Sequence, residues 1–281
     1  MSGGMALSRA AGVRIPASIR IMRLLLLALV VFWIVFLLAP LVVTIGASFT
    51  STESPMFPPV GISGRWFRQA IEYDWFLRSL TTSLIVASCA TTLSVALGLA
   101  AARVMARHQF RGLAAFEMAA ISPLIIPSVV VGFALFNVAL QLGLQDRSLP
   151  NLIVGHAVVT VPFTMRSIWT GMASMDRSIE DAARSLGATP FVAFWRVTVP
   201  SVAPGIVAGA ILAFTFSFND VTVAIFLSGT ETRPLATELM SQMEYLPDAS
   251  PAAISTIVMG LTLILFVIID RTVGLDVFAR K

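Results

Sequence analysis

The 281 residues are 57% hydrophobic and only 12% charged, with a net charge of +4. Charged residues alone make up about a quarter of a soluble domain, so this composition excludes a soluble enzyme and predicts an all-α integral membrane protein. The only lysine is Lys281, which rules out a G-x-x-x-x-G-K-[ST] phosphate loop, a lysine Schiff base and a Ser-x-x-Lys nucleophile. Two histidines and one cysteine leave no recognisable zinc cluster and no internal disulfide, and no G-x-S-x-G elbow occurs. Any active transport must draw its energy from an ion gradient or from another polypeptide.

A membrane span needs about 20 apolar residues. Stretches free of Asp, Glu, Lys and Arg predict six spans, over residues 24–47, 80–102, 118–140, 150–168, 203–227 and 250–270, in one domain covering 1–281. The first follows Arg20 and Arg23 like the core of a signal peptide, yet is longer than the ~7–15 residues of such a core. It is read as a retained anchor helix. Residues 52–74 carry Pro55, Pro58, Pro59 and two aromatic clusters, which predicts a loop lying along the membrane surface. Pro123, Pro127 and Gly132 open the third span with the spacing of Pro200, Pro204 and Gly209 at the fifth. This reads as a coincidence of helix starts, where proline is tolerated. His156, in the fourth span, is expected to be a buried histidine bonded to a backbone carbonyl.

In the fifth span, Gly205 and Gly209 form a GxxxG pair that predicts close helix packing. Asp220 lies deep in the same span, about 23 Å along a continuous helix, where a charge must be paired or wetted. It either lines a substrate pathway or forms an ion pair with a partner subunit. Asn219 lies about 100° away on such a helix and is expected to face protein. The last loop, 231–248, offers either a landing surface or a solvated loop.

Placing the N-terminus inside and crossing six times puts fourteen of the 19 Lys and Arg on the inner side. That asymmetry predicts cytoplasmic N- and C-termini. The basic residues sit in short loops beside spans, without a stripe of interleaved aromatics, so no nucleic-acid partner is implied.

On the inner side, Gly171 to Pro200 is too long and too patterned for a simple turn. Ser178 followed by Asp181 resembles a capping box. Ile179, Ala182, Ala183 and Leu186 then share one face of a short helix. Gly187 stands where a helix stops in the left-handed conformation. Thr189 and Pro190 start a second short helix, with Phe191, Phe194, Trp195 and Thr198 on one face and Pro200 closing it. Helices this short need a surface to rest on, either their own membrane domain or a partner.

The run Glu180-Asp181-Ala182-Ala183-Arg184-Ser185-Leu186-Gly187, continuing to Val197-Thr198-Val199-Pro200, resembles the E-A-A-x3-G-x9-I-x-L-P signature of ABC importer permeases, with Asp181 in the Glu place. Ser217 to Gly229 is similar to the polyamine (spermidine/putrescine) group among the type I importers, with Asp220 at an acidic position of that group. The resemblance implies the six-helix type I permease fold in a bacterial inner membrane. It implies a coupling segment over 171–200 in which Glu180, Asp181, Ala182, Ala183, Gly187 and Pro200 meet an ATPase, and a pathway touching Asp220 and Asn219. Its implied partners are two ATPases that hold ATP and Mg, a second permease and an extracytoplasmic solute-binding protein. A secondary transporter driven through Asp220, and a membrane scaffold, are the alternatives.

Overall fold

In hydrocarbon every backbone N–H and C=O must find its partner within the segment, which leaves an apolar chain little but helix to adopt. A computed structural model describes residues 17–243, 245–246 and 248–273, and they are helical almost throughout. The long elements are α1 (Ala17–Ser48), α3 (Asp74–Arg107) and α6 (Ser148–Ser174), each long and apolar enough to cross a membrane. Before α3 a short amphipathic helix, α2 (Arg65–Glu72), lies in the predicted surface loop, with Trp66 buried and its Nε1–H donating to the Thr50 carbonyl at 2.8 Å.

Two spans that read as continuous are broken. The third is α4 (Leu113–Ile125) followed by α5 (Ser128–Gln141), bent by 106°. Pro127 supplies no N–H at the break and pushes Ile126 out of the helical region, to ψ 136°. The fifth is reached through a helical run, α8 (Pro190–Ala193), a π turn at Phe194–Thr198 and α9 (Val199–Ser201), which meets α10 (Ala203–Asn219) at 68°. α10 then stops at Asn219, and a single turn, α11 (Ala224–Leu227), follows. The matching proline–proline–glycine triads mark two bends, and Pro127 and Pro204 stand where the helix beyond each bend begins, as the helix-start reading expects. The chain continues through α12 (Leu235–Gln242) to α13 (Ser250–Val273), whose apolar part is the shorter stretch Ser250–Ile264.

The bundle is built on α3, α6 and α10. Without a hydrophobic drive between helices in lipid, small residues that admit close backbone approach do the packing. A Cβ placed on Gly209 would stand 2.8 Å from Thr164 Cα, and one on Gly205 would stand 2.8 Å from the Ser167 carbonyl, both on α6. The predicted GxxxG pair is thus the α10–α6 crossing. Between α3 and α6, the Thr164 hydroxyl donates to the Ser94 carbonyl at 2.7 Å, and the Ser94 and Thr160 hydroxyls share a hydrogen bond. α1 lies outside this core, its apolar surface exposed, and packs along α13.

Candidate functional site

The segment between α6 and α10 begins with α7 (Arg177–Ser185). Its cap is Asp176, not Ser178: the Asp176 carboxylate accepts from the Ser178 N–H at 2.9 Å. A carboxylate also complements the positive helix end, which a hydroxyl does not. The Ser178 hydrogen bonds hold the Asp176 carboxyl below its usual range. The other end matches the sequence reading. Gly187 has φ +93°, its N–H donates to the Arg184 carbonyl at 3.0 Å, and Ala188 N–H donates to the Ala183 carbonyl at 3.1 Å. This pair of bonds is a Schellman stop. A Cβ added at Gly187 would meet no atom of the described residues within 4 Å, so the demand for glycine is conformational, about 1–2 kcal/mol for a non-glycine residue. Thr189 caps α8, its hydroxyl accepting from the Val192 N–H at 3.3 Å.

Pro200 does not close the segment. It sits exposed inside the helical run, which ends at Val202. Lacking an N–H, it cannot bond the carbonyl one turn back. The π turn immediately before it, where the Val199 N–H reaches the Phe194 carbonyl, absorbs the misfit. That extra residue also breaks the expected shared face: Thr198 is buried, whereas Phe191 and Trp195 are exposed.

The segment has two unlike faces. One is apolar and uncovered: Leu186 is 90% exposed and Phe191 71%, with Ile179, Ala182 and Trp195 also exposed. Asp181 is exposed beside them, and Ala183 is half-buried. The other face carries Glu180, which is buried and turned toward the bundle. Its carboxylate meets Arg103 Nη2 at 3.1 Å and Arg107 Nη2 at 3.2 Å, and accepts from the Thr198 hydroxyl at 3.2 Å. Arg103 also lies 4.4 Å from the centre of the Phe194 ring, and Arg177 donates to the Ala106 carbonyl at 2.8 Å.

Burial pushes the Glu180 carboxyl up, but Arg103, Thr198 and Arg107 outweigh it and hold it below the ordinary range. A lowered carboxyl pKa stabilises above the unfolded value and is lost only as pH falls through the lowered one. The clamp therefore persists across neutral pH. Sequence reasoning grouped Glu180 with the outward residues and counted Arg103 and Arg107 only as inner-side charges. The available signal was two arginines four apart, one helical turn, at the end of a long span.

Asp220 is placed differently from the sequence reading. It follows the last turn of α10 in extended backbone, and its Oδ2 accepts from the Val223 and Ala224 N–H groups at 2.9 and 3.1 Å, capping α11. It is buried within its own chain, 3.8 Å from His156 Nε2, while Asn219 is the exposed neighbour. His156 is fully buried, with Nδ1 bonded to the Ser217 hydroxyl at 2.8 Å instead of a backbone carbonyl. If capping is the work of Asp220, Asp220→Asn should assemble like the wild type, because an amide oxygen can still accept both N–H groups. Asp220→Ala should lose roughly 1–3 kcal/mol for each buried donor left unpaired. Size-exclusion profiles after mild heating separate the two, and equal loss in both variants would show that the charge itself is required.

A cleft of about 740 Å³ opens between α4, α6 and the α9–α10 bend. Its wall is mainly apolar, with Leu124, Phe163, Val202 and Leu212, and its polar groups are the hydroxyls of Ser167, Thr170, Ser174 and Ser201 and the guanidinium of Arg166.

A helical membrane bundle with a pinned, apolar-faced protrusion is the architecture of a transporter's membrane subunit, and similarity to known proteins agrees. Residues 94–274 match the family described as binding-protein-dependent transport system inner membrane component, and the chain belongs to that family. It is 31% identical to the putrescine transport system permease protein PotI of Escherichia coli K12, over 80% of this chain and 82% of that one. It is also 31% identical to the trehalose transport system permease protein SugB of Mycobacterium tuberculosis, over 72% and 75%. The fold is that of a bacterial ABC transporter involved in the import of the acidic polysaccharide alginate, with a TM-score of 0.71 at 18% identity, covering 92% of this chain and 98% of that one.

Proposed function

We propose that this chain is one permease subunit of an ATP-driven, binding-protein-dependent importer in a bacterial inner membrane, with both termini in the cytoplasm. The observation that carries it is the segment 176–201, clamped to the bundle through Glu180 while its opposite face is left apolar and open. A segment that rested only on its own membrane domain would bury that face. A secondary transporter has no use for it.

In this reading the open face docks on one of two ATPases, and a second permease completes the pathway. ATP binding closes the ATPase pair, the segment moves, and the cavity opens outward to receive solute from an extracytoplasmic binding protein. Resetting releases the solute inside. The chain itself performs no chemistry. Asp220 holds the α10–α11 break, and Asn219, exposed beside it, faces the pathway. The solute is a small cationic amine, by analogy with the putrescine relative.

Reconstituted with its partners in proteoliposomes, the transporter should accumulate labelled putrescine only with ATP and loaded binding protein, and should ignore a proton or sodium ionophore. Uptake that is abolished by the ionophore and indifferent to ATP would establish the secondary transporter instead.

A further inference from the structure

We infer that α3 is the rod that carries movement of the coupling segment to the opposite end of the bundle, and that Arg103 and Arg107 are its receiving joint. The inference rests on the ATPase-coupling reading and goes beyond it by naming the route.

The covalent routes out of the segment are hinges. Toward α6 the chain passes Met175 and Asp176 in extended backbone, with ψ 130° and 124°. Toward α10 it passes Val202 at the 68° bend. A hinge absorbs rotation rather than passing it on. The side-chain route is stiffer. Glu180 ties α7 to two arginines one turn apart, Thr198 ties the π turn to the same carboxylate, and Arg177 bonds the backbone at Ala106. The partners outside the segment, Arg103, Ala106 and Arg107, all lie on the last turns of α3.

From there α3 runs without interruption. At 34 residues it is about 51 Å long, beyond the ~30 Å of hydrocarbon, and it contains no proline. α1 and α6 contain proline, and the third and fifth spans are bent. Near its other end, the buried Ser83 hydroxyl accepts the Leu235 N–H at 2.8 Å, the first residue of α12. One uninterrupted helix thus joins the coupling segment to the loop 231–248 at the far face. Displacement at the Arg103–Arg107 end reaches α12 directly, and by linkage a load on α12 reaches the ATPase.

The joint is a positioning element and is tested by a readout at its remote end. In a Cys89→Ser background, Met243→Cys puts an exposed thiol at the end of α12. Its maleimide labelling rate is measured in the assembled transporter, without nucleotide and trapped with ATP and vanadate. The rate should change by roughly fivefold or more, the usual lower bound of coupling between sites. Arg107→Gln leaves Glu180 paired to Arg103, so the segment stays docked. It should retain the ATPase while the change falls below about twofold. Ser83→Ala, remote from the joint, should do the same. An unresponsive α12 in the parent, or an undiminished response in both variants, overturns the rod. So does loss of the ATPase from Arg107→Gln, which would make the arginines part of docking alone. Failure of the parent to hold any ATPase would instead overturn the coupling reading beneath it.

Discussion

Gly209→Leu is expected to remove most of the folded protein, by roughly 3 kcal/mol or more, the upper range for overpacking. The Cβ alone would stand 2.8 Å from Thr164 Cα and 3.2 Å from Ser167 Cβ. The first of these is backbone, so no rotamer change relieves it, and α10 must move off α6. Moving it also loosens the Gly205 approach to the Ser167 carbonyl and the His156–Ser217 hydrogen bond. In lipid these contacts are what holds the helices together. Gly260→Leu on α13 is the control, since among the described residues an added Cβ there meets no atom within 4 Å. Detergent-extracted protein should give a single size-exclusion peak for Gly260→Leu and aggregate for Gly209→Leu. Matching profiles would show that the α10–α6 crossing yields more easily than its geometry implies.

The places where sequence reasoning succeeded share a physical cause. Gly187, the Thr189-Pro190 start and the Gly205–Gly209 pair each act through backbone geometry that one or two residue types satisfy, so their identity is legible without the fold. The apolar stretches were legible because hydrocarbon imposes length and apolarity on each separately; three described helices meet that test alone, and two bent pairs meet it together.

What failed depended on neighbours distant in sequence. Periodicity could place Ile179, Ala182, Ala183 and Leu186 on one face, but it could not say that Glu180 turns inward. That depends on Arg103 and Arg107, more than seventy residues earlier. Asp220 was read on a continuous helix because no proline or glycine interrupts Ile211 to Ile225. The break there is stabilised by its own carboxylate, which hydropathy counts only as a cost. The two bends were written in the paired triads Pro123-Pro127-Gly132 and Pro200-Pro204-Gly209. Pro127 and Pro204 stand at helix starts as read, but that each start is also a sharp bend from a preceding helix is visible only in three dimensions.

The second large effect is expected at Leu186, because the central claim is that the uncovered face of α7 is where an ATPase sits. Leu186 is 90% exposed in a segment whose other face is pinned, so Leu186→Asp disturbs nothing within the chain. An apolar anchor at the centre of an interface is worth about 2 kcal/mol or more when removed, and a charge in its place adds the cost of burying it unpaired. Ile62, 88% exposed in the loop between α1 and α2 at the opposite end, supplies the control Ile62→Asp. The measurement is the amount of ATPase retained when the tagged chain is purified from membranes. The wild type and Ile62→Asp should retain it stoichiometrically, and Leu186→Asp should retain at least about tenfold less. Full retention by Leu186→Asp, or none by the wild type, would contradict the claim.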